Sequence, residues 1–334
     1  MRVLVTGGGG FLGGELVRQL RARGTEVRSF SRGEYPALKA LGIEQVRGDL
    51  ADAGALNAAA TGCEIIFHAA AKAGIWGSYQ EYHRANVLGT QHALDAARVN
   101  GIRKFVFTSS PSVTFDGRDQ DGVNETAPYP TRWLAHYPRT KAEAERLVLA
   151  ANGPELATVA LRPHLIWGPG DPHLVARLVD RARSGKLRLV GDGSKKVDSV
   201  FVENAALAHV LAADALNIGS PCAGKAYFIS NGEPLLLREL LVRILATAGL
   251  PAPTCAVSPG VAYSVGACLE FIYGLLGRKS EPPMTRFLAR QLSTSHWFDI
   301  SAAKRDFGYA PRVSLEAGLA QLTANFSKAG SRAN

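Results

Sequence analysis

The sequence predicts an α/β protein: a doubly wound parallel sheet with a smaller domain toward the C-terminus. Three observations carry this. A short apolar run, Arg2-Val3-Leu4-Val5-Thr6, opens directly into Gly7-Gly8-Gly9-Gly10-Phe11-Leu12-Gly13, and a helical pattern follows with Leu12, Leu16, Val17 and Leu20 on one side. Strands expected at 26–30, 44–47, 64–68, 103–109 and 157–162 alternate with helical stretches, which is the rhythm of βαβ units. The chain has 334 residues and is 46% hydrophobic, enough for one large domain and a smaller one.

The first strand, turn and helix make a Rossmann dinucleotide-binding unit. Glycines let the backbone approach a pyrophosphate whose charge rests on the helix N-terminus. Gly7, Gly10, Phe11, Leu12 and Gly13 are the residues expected there, spaced Gly7-x-x-Gly10-x-x-Gly13 after Thr6. The second strand, 26–30, ends in Ser31-Arg32. An arginine at this place neutralises a ribose 2′-phosphate, where an acid would bind the 2′-hydroxyl, so the cofactor predicted is NADP(H) rather than NAD(H). Glu34 argues the other way, since a small loop shift brings it to the ribose.

A strand at 44–47 leads to Gly48-Asp49-Leu50, a helix at 52–61 and a strand at 64–68. Asp49 reads either as a contact to the cofactor or as a turn residue before Ala51-Asp52. The small residues of His68-Ala69-Ala70-Ala71 leave room for a ribose against the backbone, and a helix at 79–100 carries Asn86. Strand 103–109 delivers Thr108-Ser109-Ser110 at the sheet edge where open α/β sheets place ligands.

A helix at 137–151 opens with Tyr137-Pro138-Arg139-Thr140-Lys141, and Pro138 suits its first turn. Residues four apart share a helix face, so the lysine ammonium can act on the phenol. Tyr35 and Lys39 have the same spacing but fall at the adenosine end, so that spacing is an accident. Strand 157–162 runs into Arg162-Pro163-His164. The rhythm then loosens into a helix at 172–184, short strands near 187–190 and 197–202 and a helix at 203–217. Residues 1–165 are the expected dinucleotide-binding domain, to which 197–217 returns, and 166–330 are mostly substrate-binding.

Residues 256–277 are largely apolar but interrupted by Pro259, Glu270 and four glycines, which argues against a membrane span. A buried helix, a pocket wall and a membrane-surface helix remain open. The net charge of +9 is spread along the chain without a basic run, which excludes nucleic acid and suits anionic small molecules or an anionic membrane face. Cys63, Cys222, Cys255 and Cys268 show no paired spacing, so no metal site is predicted. Met1-Arg2 leads straight into a strand, without a secretory signal, and reduced thiols fit a cytoplasmic protein.

Thr6-Gly7-x-x-Gly10-x-x-Gly13, Asp49-Leu50, Asn86, Thr108-Ser109-Ser110, Tyr137-x-x-x-Lys141 and Leu161-Arg162-Pro163 together resemble the extended short-chain dehydrogenases/reductases, in the 3β-hydroxysteroid dehydrogenase-like branch. The resemblance covers about the whole chain. One departure is Asn204, where the branch often has Asp. Within the branch, the stretches 71–79, 161–171, 227–234 and 282–288 resemble the reductases of long-chain 2-alkyl-3-oxo acids in bacterial olefin biosynthesis. That resemblance implies a β-keto acid substrate reduced by NADPH, a homodimer built on the Tyr-Lys helix, and assembly with other enzymes of the olefin pathway.

It also implies roles. Tyr137 donates a proton to the keto oxygen, Ser110 hydrogen-bonds that oxygen, Lys141 lowers the Tyr137 pKa and holds the nicotinamide ribose, and Asn86 orders a water that reprotonates the lysine. Asp49, Leu50, Ala69 and Pro163 complete the cofactor contacts. Lys72, Arg139, His164, Arg286 and Arg290 are candidates for the substrate carboxylate, with Trp76, Tyr79, Trp167 and 256–277 as pocket walls. The rival readings are a sterol or 3β-hydroxysteroid dehydrogenase and a nucleotide-sugar epimerase or dehydratase with bound NAD.

Overall fold

The computed structural model describes residues 1–331. Arg2–Thr6 (β1) is buried on both faces, with Val3 and Val5 entering one core layer and Leu4 the other, as strand alternation requires. Gly7 turns the chain into Phe11–Ala22 (α1), and Glu26–Ser31 (β2), Pro36–Ala40 (α2), Glu44–Arg47 (β3), Ala53–Ala60 (α3) and Ile65–His68 (β4) follow. Where one helix was expected over 79–100, Tyr79–Tyr82 (α4) passes through a π-helical segment, His83–Leu88, into Gly89–Val99 (α5). Asn86 sits inside the π segment, a distortion often found at functional sites.

Lys104–Thr108 (β5), a 3₁₀ turn at Pro111–Thr114, Gln120–Val123 (β6), His136–Ala150 (α6) and Ala157–Pro163 (β7) come next. The later half contains Ile166–Trp167 (β8), Leu174–Arg183 (α7), Leu189–Val190 (β9), Lys196–Val197 (β10), Val200–Phe201 (β11), Val202–Ala215 (α8) and Lys225–Ile229 (β12). Leu235–Leu236 (β13), Leu237–Thr247 (α9), Ala256–Val257 (β14), Pro259–Leu275 (α10), Arg286–Leu292 (α11), His296–Phe298 (β15), Ser301–Phe307 (α12) and Leu315–Ser331 (α13) complete it.

The main sheet has the order β12-β7-β5-β4-β1-β2-β3, and every neighbouring pair is parallel. The chain reverses direction of travel between β1 and β4, so the ligand crevice lies at their C-terminal ends. A third core, built on Trp167, Phe201, Leu240, Ile244 and Leu319, holds the later elements together. A second sheet, β13-β10-β15-β6, stands beside the end of β7 and shapes the site. Asn204 ties α8 to the loop before α13: its Oδ1 accepts from the amides of Arg312 and Val313, and its Nδ2 donates to Asn231 Oδ1 and the Val313 carbonyl.

The 256–277 stretch is not a buried helix. Only Ala262 and Gly266 of α10 are buried, packed against α11, while Val261, Val265, Phe271, Ile272 and Leu275 are exposed. No described helix is long and apolar enough to cross a membrane.

Candidate active site

The glycine turn is shaped by close approach. Gly7 has φ +74°, and a Cβ there would lie 2.9 Å from Ala70 Cα; one at Gly13 would lie 2.1 Å from the Gly7 carbonyl oxygen. Side chains are excluded at both places, so α1 and the end of β4 press against the turn. Gly10 caps α1 without a side-chain hydrogen bond, and the first turn carries no acid. Its free amides and positive end suit an anion. A cavity of about 350 Å³ opens over Gly8, Gly9, Gly10 and Phe11 and reaches Tyr35 and Leu38. The Tyr35 ring lies against Gly9, at the adenosine end as expected.

Arg32, beyond β2, is exposed and has no hydrogen-bond or ion-pair partner among the described residues. Asp49 Oδ1 accepts from the Ala51 amide at 2.9 Å, a turn contact, and Oδ2 lies 3.8 Å from Arg84. Leu50 packs against Gly89, where a Cβ would meet it at 2.7 Å. Ala69 follows β4, one residue before the Ala70 that lies against Gly7, and Pro163 ends β7 beside Ser110.

Tyr137, Ser110 and Lys141 converge above β5. Burial raises the Tyr137 pKa, and a hydrogen bond with Ser110 works against this. Ser110 Oγ also shares a hydrogen bond with Ser112 Oγ at 2.8 Å. The Tyr82 ring packs edge-on to Tyr137 at 6.4 Å. Lys141 is buried; its Nζ donates to the Thr108 carbonyl at 2.5 Å and lies 4.0 Å over the Phe107 ring. Burial pushes its ammonium down to about 7, against a smaller upward pull from Glu145.

Asn86 braces the site. Its Oδ1 accepts from the Lys72 amide at 2.7 Å, and its Nδ2 donates to the Lys72 carbonyl and to Thr140 Oγ1. The side chain expected to order a water thus joins the 72–78 loop to the Tyr-Lys helix.

Two buried networks fix the elements, and neither has a short-range sequence signature. Thr90 donates to the Asn86 carbonyl, so His68 Nε2–H donates to Thr90 and His68 Nδ1 accepts from Thr6, which in turn accepts from the Ala70 amide. Burial and the nearby Lys141 charge hold His68 neutral, with its pKa down at about 3. Glu145 of α6 accepts two hydrogen bonds from Arg162 of β7, at 2.6 and 3.0 Å, and one from Tyr129 at 2.6 Å. Burial alone would push its carboxyl up, but Arg162 holds it below the usual range.

Beside Ser110 lies a second cavity of about 130 Å³, bounded by Phe115, Pro163, His164, Leu165, Gln291, His296 and Phe298. Among the five cations expected for a carboxylate, only His164 lines it. Lys72 pairs with Glu81, Arg139 with Glu143 and Arg286 with Glu270, while Arg290 lies over the Tyr263 ring. Trp76, Tyr79 and Trp167 do not line it either. Trp76 donates to the Arg278 carbonyl, Tyr79 donates to Glu143, and Trp167 is buried against Phe201.

Residues 4–259 match the 3-beta hydroxysteroid dehydrogenase/isomerase family. The chain belongs to that family. It is therefore an oxidoreductase with the extended short-chain dehydrogenase fold. It is 54% identical to the 2-alkyl-3-oxoalkanoate reductase of Stenotrophomonas maltophilia, covering 97% of this chain and 99% of that protein. It is 51% identical to the protein of the same name from Shewanella oneidensis, covering 96% and 85%. Among solved structures, the UDP-glucose 4-epimerase of Thermus thermophilus in complex with NAD matches with TM-score 0.75 at 27% identity, covering 98% of this chain and all of that one.

Proposed function

We propose that the protein uses NADPH to reduce the 3-keto group of a long-chain 2-alkyl-3-oxoalkanoate to the hydroxyl, within hydrocarbon biosynthesis. The near-full-length similarity to two reductases of that name carries the substrate class. The convergence of Tyr137, Ser110 and Lys141 at the sheet edge supports the chemistry.

The dinucleotide fits the Gly7–Gly13 turn, with Phe11 and Leu12 on the uncapped start of α1, Ala69 along the ribose, and Asp49 and Leu50 at the adenine end. Exposed, unpaired Arg32 takes the 2′-phosphate and so favours NADPH. When bound, the nicotinamide supplies the hydride. Ser110 donates to the keto oxygen, and Tyr137, kept protonated by burial, transfers its proton there. Lys141 holds the nicotinamide ribose and offsets the phenolate charge as it forms. Asn86 positions α6, and Pro163 closes the nicotinamide end.

Residues 1–165 with 197–217 form the cofactor domain and 166–330 mostly the substrate domain in this reading, in a cytoplasmic homodimer joined along α5 and α6. The exposed apolar face of α10 rests on an anionic bilayer: Arg278 and Lys279 follow it, and the chain carries +9 overall. Turnover of a long-chain 2-alkyl-3-oxo acid, compared with 3-ketosteroids and UDP-sugars, tests the substrate. Preference for a steroid, or activity on a UDP-sugar with tightly held NAD, would refute it.

A further inference from the structure

Ser110 is held by a residue that the chemistry above does not use. Its side chain caps the 3₁₀ turn Pro111–Thr114. Pro111 has no N–H, so the first amide of the turn to reach back is that of Ser112, which donates to Ser110 Oγ at 3.3 Å. The Ser112 side chain returns to the same atom, Oγ to Oγ at 2.8 Å, and either hydroxyl can donate in that bond. Ser110 Oγ is thus surrounded by two groups of Ser112 and by Tyr137.

The turn itself does not need the Ser112 hydroxyl. Thr114 Oγ1 donates to the Pro111 carbonyl at 3.0 Å, and Gln120 Nε2 donates to the Thr114 carbonyl at 3.0 Å and to its hydroxyl at 3.1 Å. All four residues of the turn are buried. Ser112 Oγ has no partner among the described residues except Ser110. Ser112 is 8% exposed and joins Ser110 on the wall of the cavity.

A hydroxyl carries one proton and two lone pairs. With Tyr137 as a phenol, Tyr137 can donate to Ser110 and Ser110 to Ser112. Once Ser110 spends its one proton on a keto oxygen, its bond to Ser112 persists only with Ser112 as the donor. Both lone pairs of Ser110 are then occupied, by the amide and the hydroxyl of Ser112, and hydrogen bonds in such a chain polarise one another. The same arrangement lets Ser110 donate to the Tyr137 phenolate after the proton has moved.

We infer that Ser112 is a positioning residue of the reduction, fixing Ser110 Oγ with its amide and turning the Ser110 proton toward the keto oxygen and the forming phenolate with its hydroxyl. This deepens the reductase reading and rests on it. Ser112 acts through Ser110, and Tyr137 and Ser110 remain the reacting residues.

Wild type, Ser112→Ala, Ser110→Ala and the double variant are compared in the oxidation direction, with NADP+ and a long-chain 2-alkyl-3-hydroxy acid. Ser112→Ala is expected to lower kcat about tenfold, to leave KM within about twofold, and to raise the pH at which kcat/KM levels off by about half a unit or more. In the Ser110→Ala background the same change should cost less than about twofold. Tm should stay within about 2 °C of wild type. An equal loss in both backgrounds, no loss in either, or an unshifted pH profile would overturn the inference. A fall in Tm of more than about 5 °C would do so too, by giving the hydroxyl to the fold. A second measurement needs no substrate: the Tyr137 Cζ resonance of the NADP+-bound, 13C-tyrosine-labelled protein, assigned with Tyr137→Phe and titrated from pH 6 to 11. Ser112→Ala should move that titration upward, and superimposable curves would refute the link. If wild type does not turn over the hydroxy acid, the reductase reading fails, and the titration still judges Ser112.

Discussion

Replacing Lys141 by methionine should stabilise the fold while abolishing the reaction. Lys141 is 2% exposed, and its pKa is pushed from 10.5 to about 7. Between those values the unfolded chain binds a proton that the folded chain does not, so wild-type stability rises with pH across that window and the full cost is felt below it. At 1.36 kcal/mol per unit this amounts to about 4 kcal/mol at pH 7. Losing the hydrogen bond to the Thr108 carbonyl costs ~1 kcal/mol. The Lys141→Met variant should therefore gain roughly 2–3 kcal/mol at pH 7, about 3–4 °C in Tm for a chain of 334 residues. The gain should shrink toward zero near pH 10.5, and NADPH oxidation should fall at least about a hundredfold. Paired thermal melts from pH 6 to 10.5 supply the readout. A variant no more stable than wild type at pH 7, or a gap that stays constant with pH, would refute the buried-charge account.

Three further outcomes follow from other parts of the site. Arg32→Ala should weaken NADPH binding about tenfold, ~1.4 kcal/mol, and leave NADH unchanged in fluorescence titrations; equal effects on both would remove Arg32 from the 2′-phosphate. Glu145→Gln strands a buried guanidinium and should cost ~3–5 kcal/mol in urea unfolding; a loss below 1 kcal/mol would contradict the pinning of α6 by Arg162. Phe271→Asp with Leu275→Asp should abolish co-sedimentation with anionic vesicles and leave Tm unchanged, because both side chains are exposed. Retained binding would move the membrane contact away from α10.

The inner main-sheet strands up to 163 were legible because they are short apolar runs buried on both faces, while edge strand β3, Glu-Gln-Val-Arg with no buried residue, was placed by the βαβ rhythm alone; the Gly7–Gly13 turn announces its close contacts by excluding side chains. β6, β12 and β15 were not expected, since three to five residues show no period and their partners lie far along the chain. The π segment around Asn86 leaves no mark in composition. Tyr137, Ser110 and Lys141 could be placed because strand ends and helix starts locate them. The surroundings of His164 could not: Asp198 is 34 residues away and His296 is 132, and only the second sheet joins them. The basic residues taken for the carboxylate looked free in sequence because their acidic partners are mostly neighbours in space.

Single-turnover reduction of a long-chain 2-alkyl-3-oxo acid by NADPH, wild type against Tyr137→Phe, tests the central claim most directly. The account predicts rapid NADPH oxidation by wild type and a rate at least about a hundredfold lower in the variant, with NADPH affinity unchanged. Near-normal turnover by Tyr137→Phe would contradict it.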